Sequence, residues 1–296
     1  MSLVRVPRKQ HTVSRVLLRR FAKGGTLTAY DRQKDVLTQK GPGGAFWVEH
    51  FDQHDPLGAE ERAGAVESRV PEVLARVDGR TVLDDDDAVS ALIDLMALHW
   101  VRSPAVRMAH ERVKAAVVSS SKRRLASQEA LLSLAFTQRT GLHAATRGEL
   151  EWMNEQMHEI EPKLAEEWWS DRLILNFRSA RQIMGRHSLQ VGYFDEPVLV
   201  IGDSPVIVRN ADGSGLGPHQ GVALGDASEI CMPIGPQVLI ALGPASGTVQ
   251  FDSAAADRFN EMQALSFVRW LGAAPSSPAE SWMQERLRPA RTYGPH

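Results

Sequence analysis

The pattern of apolar and polar positions changes character near residue 188. Before that point apolar residues recur at helical spacing, as in AVSALIDLMALHWVR, whose stripe consists of Leu92, Leu95, Met96 and His99. After it, short runs rich in Val and Ile are separated by Gly, Pro, Asp and Asn. The pattern therefore predicts an α+β protein with a mainly helical N-terminal two-thirds, followed by a small, mostly antiparallel sheet.

Within this plan we expect a single compact domain over residues 1–296. Residues 1–187 form the mainly helical part, with a short strand or hairpin at TLTAYDR near the N-terminus. Residues 188–272 hold the sheet and a closing helix, and residues 273–296 form a tail that contains Pro and Ser.

Capping residues and prolines predict several helix boundaries. Asp84–Asp87 supply an N-cap and first-turn carboxylates for the helix that follows. Ser103-Pro104 places an N-cap and an N1 proline at the start of another helix. Pro71 must kink or split the helical pattern of residues 60–77. Further helices are predicted at 127–137, 147–168 and 171–187.

Composition limits the class of protein. The chain has 34 Lys and Arg against 36 Asp and Glu, so its overall charge indicates no special partner. A single cysteine, Cys231, excludes an intramolecular disulfide and fits a reducing compartment. The N-terminus has no apolar leader, and no run approaches the ~18 apolar residues of a membrane span. We therefore expect a cytoplasmic protein without a membrane partner.

The distribution of charge is more informative than its sum. Residues 1–40 contain ten basic residues against two acidic ones, and residues 49–87 contain twelve acidic residues against four Arg. Residues 102–124 are basic again, with Glu111 as their one acidic residue. These segments either pair within the fold or form solvated faces. The alternative is that 1–40 and 102–124 contact nucleic acid, but 102–124 lacks the aromatic residues that stack on bases.

Metal and cofactor motifs are weak. Residues 49–55 and the pair His158–Glu161 contain ligand-type side chains, but neither has the context of a metal site. No glycine-rich loop carries a complete phosphate-binding signature. Ser204 lacks the second glycine of a nucleophile elbow. We expect no metal and no cofactor.

The stretch VLVIGDSPVIV, from Val198 to Val208, places Asp203 where a buried strand ends. Two interpretations are open for this carboxylate. It caps the turn by accepting a backbone N–H, as in an Asx-turn. Alternatively it faces a cleft and takes part in chemistry.

Several short motifs follow one another in a characteristic order: His11-Thr-Val-Ser14 with Leu17, Leu18 and Phe21; Tyr30-Asp31; Glu67; Arg102-Ser103-Pro104; Asp203-Ser204-Pro205; and Met232-Pro233-Ile234-Gly235-Pro236. Over about residues 10–270 this order resembles the bacterial family catalogued as domain of unknown function 4238. Two departures stand out, because Ser14 replaces a proline and Gly202 replaces a hydroxyl residue. The resemblance implies candidate positions and no particular reaction.

We carry three functional hypotheses. The first is an enzyme that hydrolyses an anionic small molecule or transfers a group from it. In that enzyme His11 and Asp203 form a catalytic acid–base pair, and the substrate is bound by Arg102, Arg15, Glu67 and Ser204. The second is a non-catalytic binding or interaction module. The third, a weaker alternative, is a protein that binds nucleic acid through the basic segments 1–40 and 102–124. The sequence predicts no oligomeric state.

The three hypotheses differ in what they require of the structure. A cleft lined by His11, Arg102 and Asp203 favours the enzyme. Burial of each residue with separate local partners favours the binding module. A continuous basic groove favours nucleic acid.

Overall fold

The computed structural model describes residues 9–49, 56–126, 173–212 and 223–287, with the isolated positions 133, 134, 137, 138 and 141. The helices are α1 (Arg15–Arg20), α2 (Pro56–Glu67), α3 (Val70–Asp78), α4 (Asp86–Val101), α5 (Pro104–Ala126), α6 (173–184), α7 (Ser253–Ser266) and α8 (Pro278–Leu287). The strands are β1 (Lys9–His11), β2 (Leu27–Asp31), β3 (Val36–Lys40), β4 (Trp47–Glu49), β5 (Ser188–Tyr193), β6 (Ile201–Gly202), β7 (Ile207–Arg209), β8 (Glu229–Gly235), β9 (Val238–Gly243), β10 (Gly247–Gln250) and β11 (Trp270–Ala273).

The later part of the chain builds a five-stranded sheet in the order β10-β5-β9-β8-β7. All its neighbours are antiparallel except β10 and β5, which run parallel. The prediction of a mostly antiparallel sheet after residue 188 is therefore confirmed for these strands.

Helices cover both faces of this sheet, which explains the near-continuous apolar runs of its strands. Along β8, Ile230 and Met232 pack into the large core on one face, whereas Cys231 between them packs on the other. The large core is completed by apolar residues of α1, α3 and α4. On the opposite face α7 contributes Ala256 and Phe259.

A second, four-stranded sheet combines two early strands with two late ones, in the order β3-β2-β11-β6. Four strands thus lie before residue 50, so the prediction of one short strand or hairpin in that part was incomplete. The alternating TLTAYDR predicts an edge strand or a hairpin. β2 and β3 do form an antiparallel hairpin, but β2 is not an edge strand and is buried at every position, because β3 and β11 flank it. The short β1 and β4 form a separate two-stranded ribbon.

The C-terminal boundaries also differ from the prediction. The closing helix ends at Ser266, and Trp270–Ala273 form β11 instead of its last turn. Residues Pro278–Leu287, predicted as part of a tail, form α8. This helix is ordered by burial, because Ala279 and Met283 pack on the four-stranded sheet.

The local boundary signals are confirmed. Asp85 is the N-cap of α4, and its carboxylate accepts the N–H groups of Asp87 and Ala88. The predicted 60–77 helix is split into α2 and α3, with Pro71 in the first turn of α3. The Ser103 hydroxyl accepts the N–H of Val106 at 3.4 Å at the start of α5. The helices predicted at 127–137 and 147–168 lie largely or wholly outside the described residues.

Charge pairing within the fold is visible where the basic and acidic segments meet. The Arg20 guanidinium of α1 binds both carboxylate oxygens of Asp78 at 2.7 and 2.8 Å. This contact supports internal pairing for part of the opposite charge seen in the sequence. Among the described helices, none has the length and apolar character needed to cross a membrane.

Candidate functional site

His11 is the last residue of β1, and α1 begins after its N-cap, Ser14. The imidazole Nε2 accepts a hydrogen bond from Nε of Arg15 at 3.2 Å. Nδ1 is shielded from solvent and has no well-formed hydrogen bond to a described residue. The carbonyl of Phe46 lies close enough to influence the ring, but it already accepts the N–H and the hydroxyl of Thr12.

Glu67 and Arg102 approach His11 from two other helices. Glu67 is the last residue of α2, and Arg102 is the C-cap of α4. Glu67 Oε1 accepts from the Ser14 hydroxyl at 2.6 Å and from Arg102 Nη1 at 3.3 Å. We call His11, Ser14, Arg15, Glu67 and Arg102 the polar cluster; it joins β1, α1, α2 and α4.

The cluster keeps His11 neutral at physiological pH. The pKa of His11 falls from 6.5 to about 4, first because of burial and then because of the positive charges of Arg15 and Arg102. The negative charge of Glu67 acts in the opposite direction. A neutral ring whose Nδ1 carries the proton presents the Nε2 lone pair toward Arg15.

A second histidine, His99, contacts the polar cluster through Ser14. The sequence predicted it only as part of the apolar stripe of its helix. His99 is 1% exposed, its Nδ1 is 2.8 Å from the carbonyl oxygen of Leu95, and its Nε2 accepts the N–H of Ser14 at 3.0 Å. Burial lowers its pKa from 6.5 to about 4. This ring ties α4 to the N-cap of α1 in its neutral form.

Asp203 has a different environment from His11. It is 1% exposed and follows β6 directly. Its carboxylate accepts three backbone N–H groups, from Val268 at 2.8 Å, Arg269 at 2.8 Å and Trp270 at 3.0 Å. Burial raises the pKa of the Asp203 carboxyl, and the three N–H donors and the charge of Arg32 oppose that rise.

The structure therefore divides the predicted site residues into two groups. His11, Arg15, Glu67 and Arg102 share the polar cluster. Asp203 holds the segment between α7 and β11 instead, and among the described contacts no hydrogen bond joins it to His11. Ser204 is also committed to structure, since its hydroxyl accepts the N–H of Ala105 at 3.3 Å in the first turn of α5.

Comparison with known families agrees with the order of motifs in the sequence. The family described as a protein of unknown function (DUF4238) matches residues 9–273. The chain belongs to this family. No curated protein and no solved structure gave a match.

The two departures from the motifs of DUF4238 both have structural consequences. Ser14 donates its backbone N–H to His99, a bond that proline cannot make because it lacks this hydrogen. Gly202 donates its N–H to the buried Oε1 of Gln263 at 2.8 Å, and Gln263 Nε2 donates to the carbonyl of Pro205 at 2.7 Å. Gln263 thus forms hydrogen bonds with the backbone before and after Asp203 and Ser204.

Gly202 is required by that close approach. A Cβ at position 202 would lie 2.7 Å from Gln263 Oε1 and 3.1 Å from Phe267 Cβ. We expect Gly202→Ser to lower the free energy of unfolding by about 1–3 kcal/mol, because buried overpacking forces neighbouring groups apart. Urea unfolding measures this, with Gly225→Ser as the control, since no atom lies within 4 Å of a Cβ there. Equal stability of the two variants would refute the steric argument.

A cleft of about 800 Å³ lies beside the two-stranded ribbon. We call it the Trp47 cleft. Its charged and aromatic lining consists of Trp47, Glu49, Arg107, Glu111, Arg112, Asp203 and Arg269, so Asp203 does face a cleft, although its carboxylate is bound to backbone N–H groups. Trp47 is the cross-strand partner of His11, and Pro104, which also lines the cleft, lies two residues after Arg102. The cleft and the polar cluster are therefore neighbours.

Arg269 was not marked as a site residue by the sequence. Its Nε and Nη2 donate to the two carboxylate oxygens of Asp31 at 3.2 and 2.9 Å, and its backbone N–H is held by Asp203. The guanidinium lies 5.2 Å from the ring centre of Trp47 and 4.7 Å from that of Trp270. Both its backbone and its side chain are thus fixed at the wall of the cleft.

Within the described residues no group of three or more His, Cys, Asp and Glu side chains could hold a metal ion. Of the two weak metal candidates in the sequence, residues 50–55 and the pair His158–Glu161 lie outside the described residues, and only Glu49 of the first segment is described.

Proposed function

We propose that the protein is an enzyme that binds an anionic small molecule at the polar cluster and catalyses its hydrolysis or a group transfer. The observation that carries this proposal is the placement of a neutral, partly buried imidazole beside two guanidinium groups, Arg15 and Arg102. Guanidinium groups recognise carboxylates and phosphates through paired N–H donors. Glu67 replaces Asp203 as the carboxylate of the site, since it binds and orients Arg102 at 3.3 Å.

His11 supplies the proton transfer in this proposal. When Arg15 turns its Nε–H from His11 to the bound anion, the Nε2 lone pair accepts the proton of a water or hydroxyl nucleophile, whose oxygen forms the new bond to carbon or phosphorus of the substrate. The leaving group departs with the electrons of the broken bond and takes the proton back from the imidazolium. Arg15 and Arg102 offset the negative charge of the substrate throughout.

Anion binding at the cluster is expected to depend on pH. A bound dianion offsets the charges of Arg15 and Arg102, so the pKa of His11 rises from about 4 toward its ordinary value. Protonated His11 then adds a further positive charge, and affinity increases as pH falls. We expect sulfate, which keeps its charge over this range, to bind about tenfold more tightly at pH 5.5 than at pH 7.5 in calorimetric titrations.

Three variants sharpen that titration. His11→Gln should abolish the pH dependence, and Arg15→Gln should weaken sulfate binding at both pH values. Arg19→Gln is the matched control, because Arg19 lies one turn later on α1, is exposed and is outside the polar cluster. Sulfate affinity that is independent of pH, or equally weakened by Arg15→Gln and Arg19→Gln, would rule out this anion site.

A non-catalytic binding module is the second candidate, and the satisfied Asp203 carboxylate favours it. Turnover separates the two candidates. Para-nitrophenyl phosphate and carboxylate ester substrates should be hydrolysed by the native protein and at least 100-fold more slowly by His11→Gln, as removal of a general base requires. Sulfate binding without turnover of any of these substrates would support the binding module instead.

A further inference from the structure

The Trp47 cleft carries a combination of groups that the polar cluster lacks. It places an indole ring of intermediate exposure beside guanidinium groups from α5 and from the segment before β11. The sequence of 102–124 had no aromatic partner for its arginines, and the fold supplies one from β4. An aromatic wall next to fixed N–H donors is the arrangement that binds a planar ring linked to an anionic group.

We propose that the Trp47 cleft binds a nucleotide, whose base stacks on Trp47 and whose phosphate is held by Arg269. The volume of about 800 Å³ suits a ligand of this size. Arg107 and Arg112 of α5 line the same cleft, as do the carboxylates of Glu49, Glu111 and Asp203.

Arg269 is held in place by the protein and retains donors for an anion. Its bonds to Asp31 use Nε and one hydrogen of Nη2, which leaves three of its five N–H donors without a hydrogen bond to a described residue. Its side chain is only 19% exposed, so the rotamer is set before the ligand arrives. Asp203 contributes indirectly as a positioning residue, because it fixes the backbone N–H groups on both sides of Arg269.

Trp47 is accessible to a stacking partner at little cost. The Lys9 ammonium lies 4.0 Å from its ring centre, and Lys9 is exposed. An exposed cation–π contact of this kind is weaker than the stacking of a base on an aromatic side chain. A base can therefore displace Lys9, whose charge then lies beside the ligand.

The probe is adenosine 5′-monophosphate, compared with adenosine and ribose 5-phosphate by isothermal calorimetry on the full chain. We expect the nucleotide to bind at least tenfold more tightly than either half. Arg269→Lys should weaken it about tenfold, because lysine retains the charge and loses the planar fork of donors. Trp47→Leu should weaken it by a similar factor, whereas Trp47→Phe should retain most of the affinity.

Two comparisons keep this result interpretable. Arg19→Gln should leave nucleotide affinity unchanged, because Arg19 lies outside the polar cluster and outside the lining of the Trp47 cleft. Sulfate titration of the polar cluster is a separate measurement, so failure at the polar cluster and failure at the Trp47 cleft are distinguishable. Thermal melting shows whether each variant is folded, and Trp47→Phe tests the ring without deleting it. The proposal is wrong if the nucleotide binds no better than ribose 5-phosphate, or if folded Arg269→Lys and Trp47→Leu both bind it like the native protein.

Discussion

Asp203→Asn is expected to lower the free energy of unfolding by about 3–5 kcal/mol. The native carboxylate accepts one buried and two partly buried N–H groups, and hydrogen bonds to a charged acceptor contribute about 1.5–3 kcal/mol each. An asparagine amide has only one oxygen. Its NH₂ group must face at least one of these donors, so at least one partly or fully buried N–H loses its acceptor whichever way the amide turns.

Urea unfolding followed by circular dichroism measures this loss. Asp257→Asn is the matched control, since Asp257 lies exposed on α7 and should change stability by less than about 0.5 kcal/mol. A domain with a typical total stability of about 5–15 kcal/mol would be severely weakened by the Asp203 change. Near-native stability of Asp203→Asn together with lost ligand turnover would instead identify Asp203 as a catalytic group.

The position of Asp203 could be predicted, but its partners could not. The apolar runs around Gly-Asp-Ser-Pro place it at the end of a strand, and β6 ends at Gly202. The N–H groups that it binds come from residues 65 to 67 positions later in the chain. No local pattern carries that information, because the pairing of β6 with β11 creates the contact. The carboxylate does accept backbone N–H groups, but from a distant segment and not from its own turn.

Helix boundaries that depend on residues within one turn follow from the sequence, whereas strands that depend on tertiary pairing do not. Asp85, Pro71 and Ser103 act on backbone groups close to them in sequence, so their roles follow from residue type. Trp270–Ala273 follows a helix without a turn signal strong enough to end the helical pattern. This segment becomes a strand because β2 and β6 pair with it on both sides.

The candidate site shows the same division. The family order of motifs marked His11, Glu67 and Arg102, which the structure places in one cluster with Arg15. Trp47 and Arg269 had no such mark, since an aromatic residue and an arginine are unremarkable until the fold sets them side by side. Arg269 is recognisable only from its two carboxylate partners, Asp31 and Asp203, which are far apart in the sequence.

The second large effect concerns pH and His99. In the unfolded chain its pKa is close to 6.5, and in the folded protein burial lowers the pKa to about 4. The unfolded state therefore binds more protons between these two values. The contribution of neutral His99 is fully present above pH 6.5 and is lost as pH falls toward 4. A difference of this size amounts to about 3 kcal/mol.

His99→Gln isolates this contribution from the titration of other groups. The variant should be less stable than the native protein at pH 7.5, because glutamine cannot replace both hydrogen bonds of the ring. Between pH 6.5 and 4.5 its stability should fall by about 2–3 kcal/mol less than that of the native protein. Free energies of unfolding in urea at pH 7.5, 6.5, 5.5 and 4.5 give both slopes.

His11→Gln completes the comparison, since the pKa of His11 is lowered to about the same value. This ring is only partly buried and solvent screens its charge, so its variant should flatten the pH dependence much less than His99→Gln does. Equal effects of the two variants would mean that the hydrogen bond between His99 and Ser14 is not the main control of stability in acid. A larger effect of His99→Gln would mean that protonation of His11 costs little folding stability, so His11 can take up a proton when an anion binds.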